Sequence, residues 1–221
     1  MTTPAPRRRL PSELAGIGLL AAVIALALGL GLVVDHYPFG FDRAIILGLR
    51  SWGGPSWLPR FLADVTALGG GDVLTLIVVI AAGALLVKRL WLTALALVAA
   101  SLSGAWLIEL VKNHVVRARP DIVEHLVSAK GYSFPSGHAT ASAIVYLTLA
   151  ALVGQVTPDR ALRRYGLIVA VLLVGLIGTS RVYLGVHWPS DVLAGWSLGT
   201  LWALGWWLAT AKARAAIGGE R

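Results

Sequence analysis

A histidine and an aspartate near the C-terminal end of the chain have the spacing of a catalytic pair. His187 and Asp191 are four residues apart, and Pro189 between them favours a helix that begins at that point. One helical turn places the Asp191 carboxylate where it can accept the ring N–H of His187, which leaves the other ring nitrogen free as a nucleophile or base. A solvated histidine at a loop corner, with Asp191 as a partner of the helix dipole, is the alternative.

A second histidine, His138, follows a sequence that suits the start of a helix. Pro135 ends any preceding helix, Ser136 is a favourable N-cap whose oxygen can accept a backbone N–H, and Gly137 lets the backbone approach a ligand closely. The open N–H groups of a helix start form an anion site, so we expect His138 beside a bound anion. Taken alone, the segment is equally consistent with a simple helix start that carries an incidental histidine.

Three cations complete a set of residues that could handle a phosphate. Arg119 and Arg181 offer planar forks that match phosphate oxygens, whereas Lys112 acts as a point charge. Snorkelling to a membrane interface is the alternative for Lys112 and for the neighbouring Arg117. Together with two histidines, an aspartate and a helix start, the cations describe covalent phosphoryl transfer through a histidine, with the phosphoryl charge neutralised by fixed positive groups.

The chain that must position these residues is too apolar for a water-soluble protein. Hydrophobic residues make up 57% of the 221 residues and charged residues 14%, and the mean hydropathy is +0.76. An average soluble domain has about 25% charged residues. The same figures exclude a disordered chain. Because the chain has no cysteine, disulfides, thiolate metal sites and a cysteine nucleophile are also excluded.

Six apolar segments are long enough to cross a bilayer as helices, or nearly so. They predict an all-α, polytopic membrane protein, a bundle of six transmembrane helices at about Leu14–Val34, Asp72–Val87, Trp91–Val111, Ser136–Val156, Tyr165–Thr179 and Ser190–Ala211. We expect one domain over residues 1–221, with a core at 14–211 and tails at 1–13 and 212–221. The first segment resembles a signal peptide, but its length and the sequence Val33-Val34-Asp35-His36 favour a retained helix.

The distribution of Lys and Arg predicts the orientation of the bundle. With the N-terminus in the cytoplasm, eleven of the 19 basic residues lie on the inner side and eight on the outer side, and the inner ones cluster at helix ends. Both termini are then cytoplasmic, and segments 35–71, 112–137 and 180–190 share the outer face. Segment 41–50 is predicted as a short turn of helix with Asp42, Arg43 and Arg50 on its polar side. It lies either in the membrane interface or against the bundle.

The three clusters together resemble a known family. Lys112-x6-Arg119-Pro120, Pro135-Ser136-Gly137-His138 and Ser180-Arg181-x5-His187-x3-Asp191 are similar, in order and spacing, to the three-part signature of the phosphatidic acid phosphatase type 2 superfamily. That superfamily includes bacterial phosphatidylglycerophosphate and undecaprenyl diphosphate phosphatases, and its site is similar to that of the vanadium haloperoxidases. The resemblance covers roughly residues 14–211.

The resemblance implies a role for each matching residue. His187 attacks phosphorus and becomes a phospho-histidine, Asp191 holds its ring, and His138 protonates the leaving oxygen. The phosphoryl group is bound by Lys112, Arg119, Ser136, Gly137 and Arg181. No cofactor or metal is implied, and the sequence contains no Asp/Glu cluster of the kind that binds Mg²⁺. The implied substrate is a lipid phosphate or diphosphate in a bacterial inner membrane, with the site facing the periplasm.

Two other functions are compatible with the same residues. In a lipid phosphotransferase the phospho-histidine passes its group to another lipid, and in a transporter the cationic cluster binds a lipid phosphate without chemistry. The expected partners are the lipid substrate and membrane lipids and not nucleic acid; no pattern indicates the oligomeric state.

Glu109, three residues before Lys112 on the same predicted helix face, is expected to form a structural ion pair or to position Lys112.

Overall fold

The computed structural model describes residues 12–36 and 39–216, and over these residues the protein contains eight helices and no strand. The helices are α1 (Ser12–His36), α2 (Gly40–Trp52), α3 (Leu58–Ala67), α4 (Gly71–Val87), α5 (Trp91–Val115), α6 (Gly137–Val156), α7 (Arg160–Tyr183) and α8 (Pro189–Ala216). The all-α prediction is therefore confirmed. The predicted tails fall mostly outside the described residues, as do Arg7, Arg8, Arg9 and Arg221, which contributed to the predicted orientation.

Four helices are long and apolar enough to cross a membrane, and they make this an integral membrane protein. They contain the spans Leu14–Val34, Trp91–Val115, Arg160–Tyr183 and Pro189–Thr210. Helices α3 and α4 pass the same criterion together, with a bend of 46° between them, and α6 contributes a shorter apolar stretch at Gly137–Val153. All six predicted segments are thus helical, whereas the number of six spans and the cytoplasmic location of both termini stay predictions.

Two further helices, α2 and α3, lie between α1 and α4. Helix α2 packs on the bundle through Ile46, which is buried with Val182 and Val192. Segment 41–50 thus packs on the bundle, while Phe41, Ile45 and Leu47 stay exposed, and its place in the membrane interface stays a prediction. Asp42, which we expected on the polar side of this helix, is instead 2% exposed, because its carboxylate bonds to groups inside the protein. Helix α3 has Pro59 in its first turn, a favourable position, and was not predicted.

Helix α8 packs most extensively against α1 and α6. Glycines permit the close approach of α8 to α6. A Cβ atom added at Gly195 would lie 3.0 Å from the Ser136 carbonyl oxygen, and one at Gly199 would lie 2.7 Å from the Cβ of Ala143. The Ser136 N–H also donates to the Asp191 carbonyl at 3.1 Å. The N-terminal ends of α6 and α8 are therefore held side by side.

Candidate active site

Four helix ends meet at one end of the bundle. Helices α5 and α7 finish there, at Val115 and Tyr183, and α6 and α8 begin there, at Gly137 and Pro189. Two loops, 116–136 and 184–188, connect them. The structure brings the predicted site residues together at this end: Lys112, Arg119, Ser136, Gly137, His138, Arg181, His187 and Asp191.

His187 lies in the loop before α8 and is only 2% exposed. Its Nδ1 atom is 3.5 Å from Oδ2 of Asp191, longer than the 2.7–3.2 Å typical of a hydrogen bond. Its Nε2 atom is 3.1 Å from Nη1 of Arg119. Because a guanidinium can only donate, Nε2 acts as the acceptor and the ring proton sits on Nδ1, facing the carboxylate. Nε2 is thus the unprotonated ring nitrogen, and its electron pair accepts a hydrogen bond from Arg119.

The surroundings of His187 favour its neutral form. Burial lowers the pKa of His187 to about 4, since desolvation penalises the imidazolium. The negative charge of the nearby Asp191 carboxylate opposes this shift, and the positive charges of Arg119 and Arg181 add to it. At neutral pH the ring is therefore an uncharged base with a nucleophilic nitrogen, although a carboxylate lies against it.

Asp191 is fully buried, and its carboxylate is held from several sides. Its Oδ2 atom accepts from the Ser133 hydroxyl at 2.5 Å and from the Trp188 N–H at 2.9 Å. Its Oδ1 atom accepts from Nη1 of Arg117 at 2.5 Å. Arg117 is 7% exposed, so its interpretation as a snorkelling cation is wrong. The sequence contained no signal for this, because the position of Arg117 in a loop does not show whether its side chain points inward.

Arg119 is fixed by carbonyl groups of the two loops. Its Nε donates to Gly131 at 3.0 Å, its Nη2 to Lys130 at 2.7 Å, and its Nη1 to Val186 at 2.8 Å. The charge is thus anchored beside Nε2 of His187. A guanidinium that is already ordered loses little conformational freedom when it binds a phosphoryl oxygen, which is the arrangement expected of preorganised electrostatic stabilisation.

The other two cations approach from α7 and α5. Arg181 is 5% exposed and donates from Nη1 to the Thr66 hydroxyl of α3 at 3.1 Å. Its Nε has no hydrogen-bond partner among the described residues. Lys112 is half-buried, and a Cβ atom added at Gly137 would lie 3.9 Å from its Nζ. The ammonium group therefore stands close to the start of α6.

The start of α6 differs in one respect from the prediction. Ser136 is the N-cap residue, as expected, but its hydroxyl makes no capping bond. The Oγ atom is buried and has no partner among the described residues. A buried hydroxyl of this kind normally finds a partner. It is therefore available as a donor to a phosphoryl oxygen that sits at the helix start.

His138 lies in the first turn of α6, against the bend between α3 and α4. A Cβ atom at Gly69 would lie 3.4 Å from both Cβ and Cδ2 of His138, and one at Gly70 would lie 4.0 Å from its Nε2. The imidazole thus lies beside the backbone of these two glycines. The charges of Lys112 and Arg181 act on His138, and a proton on His187 would act on it as well, so the two histidines belong to one electrostatic cluster.

Glu109 does not form the expected ion pair. It is exposed on α5 and has no oppositely charged partner within 4.0 Å among the described residues, although its charge acts on Lys112. Its role as a residue that positions Lys112 stays a prediction.

A family model and two relatives with known names place similar sequences in the same family. Residues 89–215 match the family model of the PAP2 superfamily. Phosphatidylglycerophosphatase B of Bacillus subtilis is 37% identical over 147 residues, which cover 66% of this chain and 71% of that protein. The undecaprenyl-diphosphatase of Sulfolobus acidocaldarius is 45% identical over 69 residues, 31% of this chain and 29% of that protein.

A solved structure has a similar fold over most of the chain. The crystal structure of a transmembrane PAP2-type phosphatidylglycerolphosphate phosphatase from Bacillus subtilis has a TM-score of 0.73 and 26% sequence identity, and the match covers 89% of this chain and 96% of that one. The structure of LpxE from Aquifex aeolicus shares the fold, with a TM-score of 0.61 and 22% identity over 76% of this chain and 94% of that one. The family match extends over more than half of the sequence and contains all eight predicted site residues. The chain belongs to the PAP2 superfamily.

Proposed function

We propose that this protein hydrolyses a lipid phosphate or diphosphate through a phospho-histidine on His187, without a divalent metal ion. One observation carries the proposal. The buried imidazole has a carboxylate behind its Nδ1 and an anchored guanidinium at its Nε2. The carboxylate stabilises the positive charge that the ring acquires when Nε2 attacks phosphorus, and the guanidinium lies where the phosphoryl oxygens arrive.

In the first step, the electron pair of His187 Nε2 forms a bond to phosphorus. The bond between phosphorus and the lipid oxygen breaks, and His138 gives a proton to that oxygen. Lys112, Arg119 and Arg181 neutralise the phosphoryl oxygens, while the Ser136 hydroxyl and the Gly137 N–H donate hydrogen bonds. The free hydroxyl of Ser136 and the free Nε of Arg181 support these assignments.

In the second step, a water molecule attacks the phospho-histidine. His138 takes a proton from the water, the bond between nitrogen and phosphorus breaks, and its electron pair returns to Nε2 of His187. Inorganic phosphate leaves. The same residue acts first as an acid and then as a base, which general acid–base catalysis requires of a two-step displacement.

An apolar groove supports a lipid substrate. It has a volume of about 250 Å³ and lies between α4, α5 and α6, where its lining includes Val98, Ala105, Ala141 and Val145. Lys112 follows Ala105 by seven residues, nearly two helical turns, and Val145 follows His138 by the same interval. The groove therefore runs along the two helix faces that carry site residues, so a hydrocarbon tail could lie there with its phosphate at the site.

The names of the relatives define the substrate panel. Phosphatidylglycerophosphatase B and undecaprenyl-diphosphatase point to phosphatidylglycerophosphate and a polyprenyl diphosphate.

We place the site on the outer face of a bacterial inner membrane. In support, basic residues cluster at the opposite end of the bundle, in the α4–α5 turn at 88–89 and at the start of α7 at 160–164.

The test measures phosphate release by the detergent-purified protein from a panel that includes phosphatidate, phosphatidylglycerophosphate and undecaprenyl diphosphate. The expected result is release from at least one lipid and near-complete loss in His187→Asn. A His114→Asn variant is the matched control, because that ring is exposed at the end of α5. Activity that survives His187→Asn would contradict the proposed hydrolysis. The same holds if, with a substrate labelled in its phosphate and a second lipid added as acceptor, the label appears in the acceptor lipid instead of free phosphate.

A further inference from the structure

A buried charge cluster behind Asp191 has no part in the proposed reaction. Arg117 donates from Nη1 to Asp191 and to the Ser190 hydroxyl at 2.8 Å, and from Nη2 to Asp42 at 3.0 Å. Asp42 accepts in addition from the Ser190 N–H at 2.8 Å and from the Ser190 hydroxyl at 2.5 Å. All four residues are at most 8% exposed.

We propose that Arg117 and Asp42 are positioning residues that act on His187 through Asp191. The inference rests on the proposed function, since it concerns the nucleophile of that reaction. Neither residue reaches His187 itself. Arg117 occupies Oδ1 of Asp191, so that Oδ2 is the oxygen turned towards His187, and Asp42 holds Arg117 in place from the other side.

The geometry requires an arginine. The guanidinium bridges two carboxylates with different nitrogens of one rigid plane, and this fixes the direction of the Asp191 carboxylate as well as its charge. A lysine would supply the charge without the fork. The plane is also held over the Trp188 ring, with the guanidinium carbon 5.6 Å from the ring centre. Trp188 in turn donates its indole N–H to the Ala118 carbonyl at 3.1 Å.

Asp42 brings helix α2 into the same system. Its carboxylate accepts the N–H of Ser190 at the start of α8, where an acceptor satisfies an open backbone donor and complements the helix dipole. Helix α2 thus fixes the first turn of α8, which carries Asp191. The position of the nucleophile therefore depends on a residue about 150 positions earlier in the chain.

Charge balance sets the choice of variants. Removal of Arg117 alone would leave two buried carboxylates uncompensated, which is strongly destabilising. The double variant Asp42→Asn/Arg117→Gln removes one negative and one positive charge, so the net charge of the cluster is unchanged. Arg117→Lys keeps the charge and loses only the fork. The matched controls are Arg43→Gln and Asp64→Asn, which change exposed residues of α2 and α3.

The assay measures kcat and KM for phosphate release from the lipid that the wild-type protein cleaves best, with elution as a single detergent-solubilised species as the check of folding. In the double variant we expect kcat to fall about 100-fold, the loss that a small displacement of a reacting group causes, and KM to stay within about threefold. In Arg117→Lys, kcat should fall at least about tenfold. The controls should match the wild type.

The pH profile separates positioning from a merely structural role. The groups that face His187 are Asp191 from α8, Arg181 from α7, Arg119 from the loop and His138 from α6. Without Arg117, the Asp191 charge acts more strongly on the imidazolium, so the acid limb of kcat/KM moves to higher pH in the double variant. Arg117→Lys should return the limb towards that of the wild type.

Two results would overturn the inference. In the first, the wild type is active and the double variant keeps the wild-type kcat. If the double variant does not fold, Arg117→Lys with the wild-type kcat has the same meaning. The other is a reduced kcat with an unmoved acid limb, which would assign the cluster to folding alone. A wild type that releases phosphate from no lipid of the panel is a different result, because it removes the proposed function first and this inference with it.

Discussion

We predict that His187, the proposed nucleophile, stays uncharged on acidification to a pH well below the one at which an ordinary histidine is protonated. Burial lowers the pKa of His187 from 6.5 to about 4. A free imidazole is about 3% neutral at pH 5, whereas a group with a pKa near 4 is about 90% neutral at the same pH. The difference is large enough to measure directly on the ring.

The assay is an NMR titration of the protein in detergent with ¹⁵N-labelled histidine, between pH 3.5 and 8. His187→Asn identifies the His187 signal by its disappearance. We expect a midpoint near pH 4, with the Nδ1–H tautomer above it. A midpoint at pH 6 or higher would contradict this prediction, because it would show that the Asp191 carboxylate outweighs burial.

The same shift predicts a dependence of stability on pH. The folded-state pKa lies below the unfolded value, so the unfolded protein binds more protons between about pH 4 and 6.5. His187 therefore contributes stability that is fully present above pH 6.5 and lost as the pH falls through about 4, on the order of 3 kcal/mol in total. His187→Asn should lose this part of the pH dependence of thermal unfolding, and an unchanged dependence would contradict the assignment.

Three further predictions concern packing, proton transfer and metal ions. Gly199→Ala should destabilise the protein by about 1–3 kcal/mol, because its Cβ would meet Ala143, while Gly175→Ala, with open space around it, should not lower the melting temperature. His138→Ala should impair cleavage of a lipid substrate far more than that of an ester with a good leaving group, and equal losses would argue against the acid role. Activity should survive EDTA; loss that Mg²⁺ restores would contradict metal-independent hydrolysis.

Much of the fold was predictable because apolar length is a strong signal. Each segment predicted to cross the membrane is helical, with ends shifted by up to five residues; α7, for example, begins at Arg160 and not at Tyr165. Helix α3 was missed because ten residues that include Pro59, Arg60 and Asp64 have neither the length nor the apolar content of a span. It nevertheless supplies Thr66, the partner of Arg181.

The site was predictable where chemistry depends on local spacing. Helix α8 begins at Pro189, as its position suggested, and Asp191 therefore faces His187. The partners of Asp191 were not predictable, because they depend on how distant segments pack. Arg117 and Arg119 are two residues apart in one loop, and only the fold decides that Arg117 turns towards Asp42 and Arg119 towards His187.

Trapping the covalent intermediate would test the proposed phospho-histidine on His187 directly. Purified protein is mixed with a lipid substrate labelled in its terminal phosphate, quenched in base within milliseconds, and digested for mass spectrometry. We expect a base-stable, acid-labile phosphoryl group on His187 that is absent from His187→Asn. Turnover without labelled protein, or a label on another residue, would contradict this expectation.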